Sequence, residues 1–270
     1  MATNLSNLWD FNNPEISEER FRSALAAASP EDALILRTQI ARTHGLRRDF
    51  ERARKVLEGI RAQVESAGGE AQVRWYLEWG RSFASATHPP ESQTPEAKEQ
   101  ARAAFLRAFD LAQAAGLDDL AIDALHMMTF VDTQPADQLS WNRKALALMQ
   151  ASDQPGAKKW EAALRNNTGY ALYLLERYEE ALDEFRLALA LRERDGSPQA
   201  IRIAHWMIAW TLRAMGRLDE AIAIQLRLEE ECDAAGEPDP YVFEELELLY
   251  KAVHDEERAA YYAARRQSAG

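Results

Sequence analysis

The sequence predicts an all-α fold of antiparallel helix pairs, and three observations carry that prediction. Apolar residues recur at helical spacing along nearly the whole chain, in a composition rich in Ala, Leu, Glu, Arg and Gln, the strong helix formers. No stretch alternates β-branched and polar residues, and no Asn-Gly turn joins two such stretches. Breakers fall between the helical stretches and cut the chain into about thirteen segments of roughly 12 to 20 residues. Short joints favour antiparallel neighbours.

The elements follow in order. Residues 1–30 form an N-terminal segment in which Leu8-Trp9-Asp10-Phe11-Asn12 is an apolar knot, and Ser17 is placed to cap a short helix to Ala28. The knot either packs as part of an N-terminal cap or lies as an internal ligand in a binding face. From residue 31 to 268 the joints are Pro30, Gly45, Gly68-Gly69, Pro89-Pro90, Pro95, Gly116, Pro135, Pro155-Gly156, Gly196 to Pro198, Gly216, Gly236 to Pro240 and His254-Asp255. Thr87 to Ala97 holds three prolines and is expected as an exposed loop.

Composition excludes several classes of function. Of 270 residues, 47 % are hydrophobic, enough for a real core. Asp and Glu number 44 against 32 Lys and Arg, a formal charge of −12. That balance argues against nucleic acid or an anionic membrane as the main partner, since either requires a basic face. The longest uncharged stretches, such as Ile203 to Leu212, fall well short of a membrane span. A single cysteine, Cys232, and the lack of an apolar leader point to a cytoplasmic protein.

The helices repeat as pairs. In the clearest unit, Ala162 to Pro198, the first helix carries Asn167-Thr168-Gly169 and Leu172. The second opens at Arg177-Tyr178-Glu179-Glu180-Ala181 and continues through Phe185 and Ala188. This unit resembles the tetratricopeptide repeat, matching it at Gly169, Ala181, Phe185 and Ala188. Thr168, Leu172 and Glu176 depart from the family's Leu, aromatic and turn Gly. The next unit repeats the turn as Gly216-Arg217-Leu218-Asp219-Glu220-Ala221, with Ala209 where the family has Gly and Gln225 where it has Phe. Weaker copies place second-helix anchors at Ala53, Ala101, Asp137 and Ala259; with Ala181 and Ala221 the six anchors are about 41 residues apart on average against 34 in the family. The resemblance implies a right-handed α-solenoid of about six antiparallel helix pairs behind an N-terminal capping helix, running as one continuous repeat domain over 31–268. One pair cannot bury its apolar face alone, so neighbours must stack.

Motifs for catalysis are missing. The sequence has no phosphate-cradling glycine loop, no G-x-S-x-G elbow and no H-E-x-x-H, and its five histidines never pair at i,i+4. Cys232 lies among acidic residues that oppose thiolate formation. No catalytic residue, metal site or cofactor is therefore expected; an enzyme site built from dispersed residues such as His126 with Asp123 is the least favoured reading.

The resemblance implies instead a concave groove lined by the first helix of each pair, holding a protein or peptide partner. Its register selects Arg42, Arg74, Arg81, His126, Asn166, Asn167, Tyr170, Tyr173, Trp206, Trp210 and Arg213. The Trp and Tyr residues would form an aromatic floor, the arginines a basic lining, and Asn167 a hold on the ligand backbone. Each has a plainer reading: rings spaced i,i+4 can face the core, arginines can pair with surplus carboxylates, and His126 can be an interior histidine. The expected function is a non-enzymatic peptide-binding scaffold, with a peptide-responsive sensor that changes superhelical shape as the alternative.

Overall fold

A computed structural model describes residues 5–269, and among these no strand occurs. The helices fall into two compact units, Met1–Trp160 and Glu161–Gly270. The first unit contains α1 (Pro14–Ala24), α2 (Pro30–Leu46), α3 (Phe50–Glu58), α4 (Arg61–Ala67), α5 (Gly69–Arg81), α6 (Pro95–Ala114), α7 (Asp118–Met128), α8 (Pro135–Ala151) and the single turn α9 (Pro155–Lys158). The second contains α10 (Glu161–Leu174), α11 (Tyr178–Asp195), α12 (Pro198–Ala214), α13 (Leu218–Ala235), α14 (Pro240–Ala252) and α15 (Glu256–Ala269). Each unit is a stack of antiparallel helix pairs, α10 packing on α11, α11 on α12, and so on to α15. No helix among the described residues is long and apolar enough to cross a membrane.

Helix starts follow from proline. Pro30, Pro95, Pro135, Pro155, Pro198 and Pro240 each open a helix, where a missing N–H removes no helical bond and the fixed φ is already helical. Ser29 accepts from the Asp32 amide at 3.1 Å and Thr94 from the Ala97 amide at 3.2 Å, which caps the exposed donors of α2 and α6.

The turns inside four pairs share one device. Arg48, Glu176, Gly216 and His254 have φ of 63°, 60°, 74° and 60°, in the left-handed region. The following amide reaches back to the last helical turn, Asp49 to His44 O at 2.9 Å and Arg177 to Leu172 O at 3.0 Å. This satisfies carbonyls that a helix end would leave orphaned. Gly45, expected as a joint, lies inside α2 instead. The turn falls three residues later, because a helical glycine costs only about 1 kcal/mol and does not by itself end a helix.

Two glycines set how closely paired helices approach. A Cβ at Gly169 would lie 2.7 Å from Phe185 Cε1, and a Cβ at Gly80 would collide with the Phe105 ring. Phe105 and Phe185 are fully buried. The pattern fails at α12–α13: Gln225 occupies the phenylalanine position, is fully buried, and neither side-chain polar atom has a hydrogen-bond partner.

The N-terminal helix does cap the stack, but not from Ser17. Ser17 sits inside α1, fully buried, with its hydroxyl accepting from the Asp10 amide at 2.7 Å. That bond turns the chain back so that Trp9 packs edge-on against Phe21 and donates to Gln39 at 3.1 Å. The segment after α5 is not wholly exposed either. His88 is buried, its ring stacked on Phe50 at 3.7 Å, which pins that loop to the start of α3.

Candidate functional site

Four aromatic side chains selected by sequence meet on one face of the second unit. Tyr170 and Tyr173 project from α10, Trp206 and Trp210 from α12. Tyr173 stacks on Trp210 with centroids 3.4 Å apart, Tyr170 on Trp210 at 6.0 Å and Trp206 on Trp210 at 5.8 Å, all within 20° of parallel. None is buried; Tyr170 is 43 % exposed. The reason is local. On α12 the spacing of Ala204, Met207, Ile208 and Thr211 fills the buried stripe, and that leaves 206, 210 and 213 on the next face round. Partial burial pushes the Tyr173 phenol above its usual range.

Two contacts fix the far edge of this face. Trp206 Nε1 donates to Tyr241 O at 3.2 Å. Arg213 forms a two-pronged ion pair with buried Glu245 of α14, at 2.8 and 2.9 Å. Arg213 therefore braces α12 against α14. Asn166 and Asn167, half-buried, lie one turn before Tyr170 on α10. Beyond Trp206 a recess of about 570 Å³ opens between α12, α13 and α14, lined by Ile203, Met207, Leu228 and Val242 together with Asp239 and the Arg202–Glu237 ion pair, 2.9 Å long.

The other selected residues gather in the first unit around a cavity of about 230 Å³. Arg81 joins two carboxylates from different helices, Glu78 and Asp123, each at 2.5 Å. Arg42 reaches Glu78 at 3.4 Å and lies under the rings of Trp9 and Phe11, at 5.8 and 5.7 Å. Burial alone would raise the Asp123 carboxyl; Arg81 and Arg42 beside it hold it below its ordinary value. Burial pushes His126 below the usual histidine range against the pull of Asp123. Its ring sits by Phe130 and Trp160. Arg74 pairs with Glu70 of its own helix at 2.6 Å.

Each of the four selected arginines thus has a carboxylate partner, and the lining of the first-unit cavity is charge-compensated rather than basic. The sequence register did not select Glu78, Glu245 or Trp160. Glu78 and Glu245 are buried acids on otherwise apolar helix faces, which is the one signal that marks them.

Little here suits covalent or metal chemistry. The Cys232 thiol is buried and its ionisation is pushed up by that burial. Among the described residues no group of three or more His, Cys, Asp or Glu is placed to hold a metal ion.

A tetratricopeptide-repeat family profile matches residues 160–230. That span holds both helix pairs built around the four stacked rings. Residues 160–230 thus carry tetratricopeptide repeats. No curated protein matches it in sequence. Solved structures share its fold. RapI in its apo form has a TM-score of 0.72 at 14 % identity over 98 % of this chain and 73 % of its own. The Pyrococcus horikoshii signal-transduction ATPase with numerous domains, which carries a tetratricopeptide repeat sensor, has a TM-score of 0.70 at 14 % identity over 94 % of this chain. This chain spans only 38 % of that protein's length. Aspartyl phosphate phosphatase F of Bacillus subtilis has a TM-score of 0.61 at 15 % identity, covering 94 % of this chain and 64 % of its own.

Proposed function

We propose that this repeat protein is a non-enzymatic, cytoplasmic scaffold that holds an extended peptide or a partner helix against the first helices of its pairs. The observation that supports this most is the half-exposed stack of Tyr170, Tyr173, Trp206 and Trp210. Large rings left partly in water on a rigid two-helix frame are the side chains most often found as binding hot spots. Covering one such ring contributes about 1.5–3 kcal/mol, so three or four give micromolar affinity after the cost of association. In the first unit, Arg42, Arg81 and His126 border a smaller cavity that would hold one polar group of a ligand of its own.

The test pairs thermal unfolding with capture of binding partners, on wild type and on Trp206→Ala/Trp210→Ala. The reading expects nearly unchanged melting and loss of a specific partner. A loss of about 3–5 kcal/mol per ring, as for a truncated core tryptophan, would place the rings in the core and end the proposal.

A sensor role is a second reading, supported by the fold shared with the archaeal protein whose repeats are described as a sensor. It expects a ligand-dependent change in the radius of gyration by solution scattering; a radius unmoved at saturating ligand removes it.

A further inference from the structure

We infer that the ligand of the second unit's aromatic face is a cationic peptide, with an arginine or lysine lying over the Trp206–Trp210–Tyr173 stack. This rests on the peptide-binding reading above and adds the chemistry of what is bound.

The first observation is where the protein puts its own cations. Trp9, Phe11, Trp75, Phe83, Phe109, Trp141, Phe243, Tyr250 and Tyr261 each have an arginine or lysine within 6.0 Å of the ring centre. Among the described residues no such cation lies over Tyr170, Tyr173, Trp206 or Trp210. The rings of this stack are electron-rich and only partly buried, and a half-dry aromatic surface attracts a guanidinium or ammonium. Arg213, on the same helix, does not supply it, because Glu245 holds both of its prongs.

The second observation is the charge of the unit that carries the stack. Residues 161–270 hold 22 Asp and Glu against 13 Lys and Arg, a formal charge of −9, while residues 1–160 hold 22 against 19, only −3. Three-quarters of the acidic surplus therefore lies in the unit that carries this face. A cationic segment is steered toward it and an anionic one is repelled. A single-stranded nucleic acid would also stack on such rings, but it needs a basic tract along its backbone that this unit lacks.

The recess beyond Trp206 adds direction. Much of its wall is apolar, with Ile203, Met207, Leu228 and Val242; of the two carboxylates in its lining, Glu237 is paired with Arg202 at 2.9 Å and Asp239 accepts from the Tyr241 amide. An apolar residue next to the cation fits the wall. The expected ligand is thus a short basic segment with an apolar neighbour.

The experiment probes an array of immobilised, acetylated hexapeptides, each with one fixed and five mixed positions, with the 270-residue chain. The inference expects peptides fixed as Arg or Lys to be retained about ten-fold more than those fixed as Asp or Glu, with the preference weakened in high salt. It expects Trp206→Phe/Trp210→Phe to keep the melting temperature and reduce that preference, since tryptophan is the better cation platform. Retention that depends on the two tryptophans but is indifferent to charge, or favours acids, overturns the cationic inference and leaves peptide binding standing. No retention of any peptide overturns both.

Discussion

The Phe185 ring lies directly against the backbone of Gly169, so close that even a methyl group there would stand 2.7 Å from its Cε1 atom. Helix α10 meets α11 at a distance set by the absence of a side chain. Gly169→Ala must push a fully buried ring into an already filled core, and overpacking of this kind costs about 1–3 kcal/mol. Denaturant unfolding should show that loss, and Phe185→Leu in the same chain should recover part of it. Equal stability of wild type and Gly169→Ala would mean that the helices can separate freely. The same substitution at Gly80, facing Phe105, should behave alike.

Gln225 is the counter-example, a fully buried amide with neither polar atom partnered. Leaving such a group without hydrogen bonds costs about 1–3 kcal/mol. Gln225→Met keeps the length and removes the polar atoms, so it should stabilise the second unit by about 1 kcal/mol. Calorimetry checks the sign; a lower melting temperature refutes the explanation.

Glu176 and His254 hold left-handed conformations that their side chains disfavour. Glu176→Gly and His254→Gly remove a cost of about 1 kcal/mol each. The gain should be visible in the denaturation midpoint and should add in the double variant, since the two turns belong to different pairs. Gly216, already glycine in the equivalent turn, sets the control: Gly216→Glu should lose a similar amount.

Acidification should weaken the fold in a defined window. His44, His88, His126 and His205 are all held below their ordinary value of 6.5, chiefly by burial. A base with a depressed pKa is neutral in the folded chain and binds its proton more readily once unfolded. The unfolded state then takes up more protons, so stability is intact well above pH 6.5 and declines as pH falls through and below that value. Denaturant midpoints measured across this range should fall steadily, and His88→Asn should flatten the slope. A midpoint that rises on acidification contradicts the assignment. The depressed carboxyls of Glu18, Asp123 and Asp132 add a further loss at still lower pH, below their ordinary values near 4.

Much of the architecture was legible because its signals are local. Proline can open a helix but not continue one, and Pro30, Pro95, Pro135, Pro198 and Pro240 each mark a start. Gly169 and Phe185 were legible as a pair because both belong to one repeat. Ser17 was misread because its partner, Asp10, lies in a turn that no periodicity reveals. The arginines resisted for the same reason on a larger scale. Arg42 finds Glu78 36 positions away, and Arg213 finds Glu245 32 positions away. Nothing at either position in the sequence says which carboxylate will face it. The aromatic register could be read as residues that share a face, while whether that face meets water was decided by the neighbouring helices.

The parallel rings of Tyr173, Trp210 and Trp206 also make the protein its own optical instrument. Indoles 5.8 Å apart and nearly parallel couple their electronic transitions, as do Trp75 and Trp79 at 5.2 Å, so the circular dichroism of the seven tryptophans carries the signals of two stacked pairs. The Trp75–Trp79 pair, with Trp75 buried and bonded to Leu57 O, supplies a steady internal reference, and a change confined to the other pair marks an event on the aromatic face. Whatever settles on that face can be followed without a label, in the light the protein already absorbs.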